Sequence, residues 1–460
     1  MNEMVQPPAG VSLAVVIPTR NRAELAAAAA RSLLGQKDCR LEVFVSDNSS
    51  SEEERGRLAD FCRSEADPRL VYMRPPRSLA MAEHWDWAVG QALERSDATH
   101  LTVHYDRKVS KPGQLGLVTR LAARHPERLI TFTLDMVATV PPSAVLYQTP
   151  WTGKLYEMKS SRVVELTTRG RVYDMGQAFP VLSNCLTPRR ALERIRARFG
   201  DVCNSTGPDS CFTYRFCAIE DGYLHFDRPL GIVYASHRSN GATYLKGKTD
   251  GDFGDFLKTW GDRSWLEAAP VPGINLGQNM LYHEYELVRR AVGGDGFPPI
   301  DLDCYLRDLA AGLKWVEDPR ARDALRALLE ERGWREEPAE EEPGAAGACP
   351  AARRPLRARL APSNVVASAR ARVRNRWAVL KGRQGLVLFL ADRLGIRPPH
   401  IHCFTFESDE QALRYALSYP RRPEPVNPYI LALEPSELPA PPDVVAEPAR
   451  APVETAGHVP

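Results

Sequence analysis

The chain has 460 residues, of which 43% are hydrophobic and 26% are charged, as in ordinary globular proteins. This length predicts one large domain with an appendage, or two domains. The formal net charge of +2 excludes a strong overall field that would attract nucleic acid. The 9 cysteines are scattered without a C-x-x-C pair, which argues against a zinc site or a disulfide framework and favours a reducing compartment.

Residues 1–10 are predicted to be a disordered tail. They lack the basic start and the apolar centre of a signal peptide, so no signal peptide is expected. The longest apolar run, near residues 385–391, is much shorter than the roughly 18–20 residues that cross a bilayer. We therefore expect a cytoplasmic protein, either free or peripheral to the inner face of the plasma membrane.

Short β-rich runs alternate with longer helical runs in the first third of the chain. The predicted strands are residues 13–17, 41–45, 70–73, 99–103 and 129–133, and the predicted helices are residues 23–34, 52–64, 81–93 and 113–123. Near-continuous apolar strands that alternate with helices predict an α/β fold. In this fold, a mostly parallel sheet is covered by helices on both faces.

Polar clusters follow three of the predicted strands. They are Pro18–Asn21 after the first strand, Ser46–Ser50 after the second and His104–Lys108 after the fourth. Sheets of this type bind ligands at the carboxyl ends of their strands. One such cluster is an ordinary loop, but three at the same edge of one sheet predict a binding site.

The pattern changes beyond residue 141. Val163–Leu166 is a predicted strand, and Gly231–Ala235 is a late strand that leads to His237 and Arg238. Further helices are predicted at residues 189–199, 209–217, 280–290, 305–316 and 319–331. The last three helices are expected to close the first domain.

The composition changes again at residue 336. Residues 336–362 are rich in Glu, Pro, Ala and Arg and predict a linker. Residues 363–420 are predicted to be a basic helical accessory region, with an amphipathic helix near residues 363–383. This helix would pack on its own domain, lie on an anionic membrane or bind a partner protein; nucleic acid is not expected. Residues 421–460 predict a proline-rich, poorly ordered tail.

Two motifs carry a resemblance to a known family. Val15–Arg22, followed by Val43–Ser50, resembles the opening of family 2 glycosyltransferases of the GT-A fold. Ser78–Ala88 is similar to the helix that precedes the metal motif in bacterial polysaccharide-building members. The likeness covers residues 11–241, about half of the chain. With the closing helices considered, it predicts a GT-A domain at residues 11–290 and a helical closing segment at residues 291–335.

The resemblance implies a function for the chain. Family members transfer a sugar with inversion from a nucleoside diphosphate-sugar to an acceptor hydroxyl, here expected in a surface polysaccharide or a lipid-linked glycan. It also implies that the loop Pro18, Thr19, Arg20 and Asn21 flanks the nucleotide, and that Asp47, with Asn48 and Ser49, contacts its base or ribose. An alternative for residues 47–49 is an N-cap of the helix that begins at Glu52.

The chain departs from the family at its metal motif. Counting back from Pro112-Gly113, the aspartate run of the family falls on Asp106-Arg107-Lys108. The one acid in this run, Asp106, is a poor site for Mg²⁺ or Mn²⁺, which require several oxygen ligands. Arg107, Lys108 and the later Arg238 are cations that can bind diphosphate oxygens directly. The resemblance is therefore compatible with metal-independent transfer, or with a lost site in which these residues are solvated loop charges.

An inverting transfer also needs a carboxylate that takes the proton of the acceptor. The family places this acid at the start of a helix in the later half of the domain, where Asp209 follows Pro208. The alternative is that Asp209 is an ordinary helix-start acid that interacts with the helix dipole. Glu220 and Asp221 are the second choice for the base.

Two other classes of protein remain open from the sequence. The missing acids would suit a non-catalytic descendant that binds sugar nucleotides or acts as a scaffold. A nucleotidyltransferase shares the parallel-sheet layout, but it needs a glycine-rich phosphate loop after the first strand. Residues 18–21 contain no glycine.

Overall fold

The computed structural model describes residues 10–140, 142–239, 266–272, 274–316, 318–335, 402–418, 421 and 423–439. Strands β1–β12 span Ser12–Thr19, Arg40–Asp47, Leu70–Met73, His100–Val103, Lys108–Ser110, Ile130–Val140, Ser143–Gln148, Leu155–Lys159, Cys185–Pro188, Gly222–Val233, His402–Phe406 and Ser436–Leu438. Helices α1–α12 span Ala23–Leu34, Glu52–Glu65, Met81–Arg95, Gln114–Arg124, Ser160–Thr168, Arg189–Phe199, Pro208–Cys217, Gly277–Ala291, Leu302–Gly312, Pro319–Glu331, Asp409–Ser418 and Pro428–Leu431. Short 3₁₀ helices span Val172–Ala178, Leu182–Asn184, Ser236–Arg238 and Leu313–Trp315.

The strands form one mixed sheet with the order β12-β8-β10-β6-β9-β4-β1-β2-β3. Strands β4, β1, β2 and β3 are parallel neighbours, and β10 is parallel to β6. Strand β9 is antiparallel to both β4 and β6 and joins the two parallel parts. This arrangement confirms the predicted α/β fold of the GT-A type.

Alternating side chains of β1 show how the sheet is covered on both faces. Leu13, Val15 and Ile17 are buried in a hydrophobic cluster that includes residues of α1 and α4. Ala14 and Val16 point to the other face, where the buried cluster includes residues of α3, α6 and α7. Each fully buried aliphatic side chain of this kind contributes about 1.5–3 kcal/mol of hydrophobic stabilisation. The strand therefore needs the continuous apolar run seen in its sequence.

One predicted strand is a helix in the structure. Val163–Leu166 lies inside α5, where Val163, Val164 and Leu166 are buried. The prediction of a strand here was wrong because a short apolar run fits a buried helix turn as well as a strand. Strand β8 ends directly before this helix, and Ser160 Oγ donates a hydrogen bond to Glu220 O.

The region after residue 400 differs from its prediction. Within residues 402–420, β11 pairs with β7 before α11 begins, so this part is not purely helical. Within the predicted tail, Arg421 and Asn427 are buried, and β12 pairs with β8. Proline content did not reveal these contacts, because they join segments more than 250 residues apart. The predicted linker and the amphipathic helix near residues 363–383 lie outside the described residues.

The helical closing segment contains α9 and α10, which pack with α8 in a separate hydrophobic cluster. None of the helices in the described part of the chain is both long enough and apolar enough to cross a membrane.

Candidate active site

The polar clusters lie together at one edge of the sheet, because β1 is hydrogen-bonded to β2 on one side and to β4 on the other. Thr19 at the end of β1 is in register with Asp47 at the end of β2. His104, directly after β4, donates its backbone N–H to Val16 O at 2.7 Å. The loops that follow these three strands therefore share one edge, as the sequence predicted.

Asp106 lies at the centre of this edge and is only 4% exposed. Its Oδ2 atom accepts a hydrogen bond of 2.9 Å from Thr19 Oγ1 and forms an ion pair of 3.0 Å with Arg22 Nε. Thr19 and Asp106 were predicted site residues, whereas Arg22 was given no role. The only sequence signal for Arg22 is its place at the end of the first motif. The cation beside Asp106 in this structure is therefore the guanidinium group of Arg22.

The residues around Asp106 do not fit a divalent cation. No group of three or more His, Cys, Asp or Glu side chains that could hold a metal is found in the described part of the chain. Asp106 is engaged by Arg22, and the next two residues are Arg107 and Lys108. Magnesium and manganese need several oxygen ligands, whereas the charged group that contacts Asp106 here is the guanidinium of Arg22.

Hydrogen bonds connect Arg22 and Arg107 to the loop that follows β10, and this loop carries Arg238. Arg107 donates to Tyr234 O at 3.2 Å and to Ser239 Oγ at 3.0 Å. Arg238 donates to Asn21 O at 3.1 Å, and Arg22 donates to Arg238 O at 2.9 Å. All three arginines are partly exposed. Burial lowers the pKa of the Arg107 guanidinium, which nonetheless stays charged at any physiological pH. Such a group of guanidinium ions can bind the oxygens of a diphosphate.

Asp47, Asn48 and Ser49 are buried and hold the loops in place. Asp47 Oδ1 accepts from Ser49 N at 2.8 Å, and Asp47 Oδ2 accepts from Tyr72 OH at 2.8 Å. Asn48 bonds both backbone groups of Leu79, its amide donating at 2.8 Å and its oxygen accepting at 3.0 Å. Each of the three residues is at most 3% exposed. The structure therefore shows them supporting the edge rather than projecting from it.

The loop after β1 is fixed against the loop after β2. Asn21 adopts a left-handed backbone conformation with φ of 54°, which asparagine tolerates better than most residues. Its side-chain oxygen accepts from Ser50 N at 2.9 Å and Ser51 N at 3.0 Å. Ser51, not residues 47–49, is the N-cap of α2, because its hydroxyl accepts from Glu54 N. Pro18 is buried, and Arg20 bonds Ser78 Oγ at 3.0 Å.

Asp209 lies at the start of α7 and is held by two hydroxyl groups. Its Oδ2 atom accepts from Tyr105 OH at 2.8 Å, and its Oδ1 atom accepts from Ser183 Oγ at 3.1 Å. Burial raises the pKa of the Asp209 carboxyl, while the two hydroxyl groups oppose this shift. A partly exposed carboxylate with a raised pKa is suited to taking a proton. Tyr105 and Ser183 were not predicted, although Tyr105 directly precedes the Asp-Arg-Lys motif.

Lys108 lies beside Asp209 rather than beside the arginines. Its ammonium group donates to Ser183 O at 2.8 Å and is only 2% exposed. Burial lowers the pKa of Lys108 to about 7, and the charge of Asp209 opposes the shift. This position does not favour the predicted contact between Lys108 and a diphosphate. It places a titratable cation next to the candidate base.

Glu220 and Asp221, the second choice for the base, lie at the other end of the sheet. They precede β10, whereas Arg238 and its neighbours follow β10. Glu220 is paired with Arg194 at 2.6 Å. The structure therefore brings Asp209, and not this pair, next to the Asp-Arg-Lys motif.

A comparison with family models gives a match in the first part of the chain. Residues 14–96 match the model of glycosyl transferase family 2. This segment is therefore similar to family 2 glycosyltransferases. The match runs from β1 through α3 and includes both motifs from which the resemblance was inferred. It supports assignment of the chain to the glycosyltransferases. No curated protein sequence matches the chain.

Solved structures of TarS from S. aureus are similar to this chain. Residues 1–349 of TarS are 15% identical with a TM-score of 0.37, and the match covers 70% of this chain and 86% of that one. The complex of TarS 1–349 with UDP-GlcNAc has 13% identity and a TM-score of 0.37, with the same coverage. The complex with UDP has 14% identity and a TM-score of 0.38, also with the same coverage. Similarity at this level gives no information about the ligands of this chain.

Proposed function

We propose that this glycosyltransferase moves a sugar with inversion from a nucleoside diphosphate-sugar to an acceptor hydroxyl, and that arginines replace the metal ion. One observation supports this most directly: the four residues 105–108 contact both halves of the site. Tyr105 bonds Asp209, Asp106 pairs with Arg22, and Arg107 bonds the loop that carries Arg238. A base and a diphosphate-binding group are thus connected by one short segment.

In this mechanism, the diphosphate of the donor binds beside Arg22, Arg107 and Arg238. Asp209 accepts the proton of the acceptor hydroxyl while the acceptor oxygen attacks the anomeric carbon from the face opposite the diphosphate. The bond between the anomeric carbon and the diphosphate oxygen breaks, and its electron pair leaves with the nucleoside diphosphate. The arginines offset the negative charge that grows on this leaving group, which is where electrostatic stabilisation contributes most to catalysis.

The donor and the acceptor belong to the proposal by class only. The nucleoside diphosphate-sugar is supported by the family match of residues 14–96. The acceptor, a hydroxyl of a surface polysaccharide or glycolipid, is supported by the likeness of Ser78–Ala88 to polysaccharide-building members of the family. The same match favours this class of transfer over a nucleotidyltransferase.

The substitution Asp209→Asn tests the assignment of the base. Asparagine keeps the shape of the side chain and one oxygen that can accept from Tyr105 or Ser183, but it cannot take the proton of the acceptor. We expect sugar transfer to fall by at least about 100-fold, the usual range for general base catalysis, while nucleotide affinity is unchanged. Transfer is measured as nucleoside diphosphate released in the presence of acceptor, and affinity by calorimetry. Unchanged transfer by this variant would show that Asp209 is not the base.

A catalytically inactive sugar-nucleotide-binding protein is the second candidate. The observation that favours it is that both carboxylates at this edge are buried and already have partners. Asp47 accepts a hydrogen bond from Tyr72, and Asp106 forms an ion pair with Arg22. The two candidates differ in one measurement on the wild-type chain. Binding of a nucleoside diphosphate without any sugar transfer, to a panel of glycan and glycolipid acceptors, would favour the inactive protein.

A further inference from the structure

A helix from the end of the chain contacts the loop that carries Arg238. Helix α11 begins at Asp409, whose Oδ2 atom accepts from Thr139 Oγ1 at 2.8 Å and from Ala235 N at 3.1 Å. Strand β11, directly before it, pairs with β7 over five residue pairs, from His402 to Phe406. These contacts fix the start of α11 against the end of β10.

The contact with Ala235 falls at an unusual point of the backbone. Ala235 has a φ of 50°, a left-handed conformation that alanine rarely adopts. The next residue is held as well, because Ser236 Oγ accepts from Thr139 N at 2.8 Å. A non-glycine residue keeps this conformation only where the surrounding contacts enforce it. Asp409 and Thr139 supply such contacts on either side of the bend.

The bend at Ala235 sets the position of the arginines. The turn Ser236–Arg238 begins directly after it. From this turn, Arg238 O accepts from Arg22, and the Arg238 guanidinium donates to Asn21 O. Arg22 in turn is paired with Asp106. A continuous series of hydrogen bonds therefore runs from Asp409 to the centre of the candidate site.

We propose that Asp409 is a positioning residue for the diphosphate site, and that the segment 402–418 completes the transferase domain. This inference rests on the proposed function, because it assumes that Arg22 and Arg238 bind the diphosphate. Asp409 acts through the backbone of Ala235 and does not touch the donor. The acceptor oxygen of the Asp409 side chain is the part that the site requires.

The test compares variants of the full chain by calorimetric titration with UDP, GDP, CDP, ADP and dTDP. Asp409→Ala removes the acceptor of Ala235 N, and we expect the Kd of the nucleotide that binds the wild type to rise about tenfold. This is the change expected for one lost hydrogen bond to a charged group. Asp409→Asn keeps an acceptor oxygen and is expected to stay within about threefold of the wild-type Kd.

Two controls separate positioning from stability. Glu410→Ala alters an exposed neighbour that pairs only with Arg414 in the described structure, and we expect an unchanged Kd. Ala412→Gly weakens the same helix at a buried position without touching Ala235, and it is expected to lower the Tm but leave the Kd unchanged.

Other outcomes would overturn the inference. A wild-type Kd for Asp409→Ala, or an equal loss of affinity in Ala412→Gly, would overturn the positioning role. If the wild-type chain bound none of the five nucleotides, the proposed function would fail and this inference with it.

Discussion

At the scale of single residues, the environment of Asp209 determines what the site can do. Its two oxygens are held by Tyr105 and Ser183, and Lys108 lies close by with a pKa of about 7. Hydrogen bonds to the charged form of a carboxyl favour that form, whereas burial opposes it. Burial raises the pKa of the Asp209 carboxyl, and the hydrogen bonds from Tyr105 and Ser183 oppose this rise.

The substitution Tyr105→Phe tests this balance. Loss of the phenol donor raises the pKa of Asp209 further, so the base is protonated over a wider range of acidic pH. We expect transfer at pH 6 to fall about tenfold, the cost of one hydrogen bond to a charged group, and to recover as the pH rises. The measurement is the pH profile of kcat/KM, with Ser183→Ala as a second variant expected to move it in the same direction. A uniform loss of rate at every pH would argue against this role.

The sequence predicted several residues of the site but not their grouping. Asp106, Arg107, Arg238 and Asp209 were all expected, and the structure brings them to one edge. The role of Arg22 could not be predicted, because it depends on contact with a residue 84 positions away. Arg107 and Lys108 were expected to act together. Arg107 lies in the turn before β5, whereas Lys108 begins β5, and the two side chains bond different parts of the chain, Ser239 and Ser183.

At the scale of elements, helices α7 and α8 hold the candidate base in place. Gly207, directly before α7, donates its N–H to Glu284 Oε1 of α8 at 2.7 Å. Glu284 is 1% exposed, and burial raises the pKa of its carboxyl to about 7 from an ordinary 4.5. Because this pKa is higher in the folded chain than in the unfolded chain, its contribution to stability is full below pH 4.5. It is lost as the pH rises through about 7.

The substitution Glu284→Gln should remove this dependence on pH. Glutamine keeps an oxygen that can accept from Gly207 but carries no charge to bury. We expect the variant to match the wild type at pH 4.5 and to exceed its free energy of unfolding at pH 8.5 by up to about 3 kcal/mol. Urea unfolding at the two pH values measures the difference. A difference that did not change with pH would contradict the assignment of Glu284 as the titrating group.

Elements in the first third of the chain were the most predictable from sequence. Strands β1–β4 and helices α1–α4 lie within a few residues of their predicted ranges, because their hydrophobic patterns are long and local. Strands β5, β7, β8, β9, β11 and β12 were missed because they are short and are defined by pairing with distant partners. The strand predicted at Val163–Leu166 was wrong because a run of four residues with three apolar side chains does not distinguish a strand from a helix turn.

At the scale of the whole molecule, the end of the chain covers two edges of the sheet. Strand β11 pairs with β7, and β12 pairs with β8. Between them, Asn427 donates to Asp227 Oδ1 at 2.9 Å and to Pro150 O at 3.1 Å. An uncovered strand edge presents free N–H and C=O groups that attract other chains. We therefore expect residues 402–439 to protect these strand edges from pairing with other chains.

A shortened chain that ends at residue 400 tests this protection. It leaves the edges of β7 and β8 unpaired, so we expect a Tm lower by at least about 5 °C and self-association in solution. A chain that ends at residue 439 keeps both strands and is the matched control, expected to retain the wild-type Tm. Thermal unfolding and size-exclusion chromatography provide the two readouts. Equal behaviour of the two shortened chains would rule out a protective role for residues 401–439.

In the proposed function, arginines and not a divalent metal ion offset the charge of the diphosphate. The most direct measurement is the rate of nucleoside diphosphate release by the full chain, with acceptor present, in EDTA and in added Mg²⁺ or Mn²⁺. We expect full activity in EDTA with no gain from either metal, and a loss of donor affinity in Arg22→Ala. Activity that disappears in EDTA and returns with Mn²⁺ would contradict it.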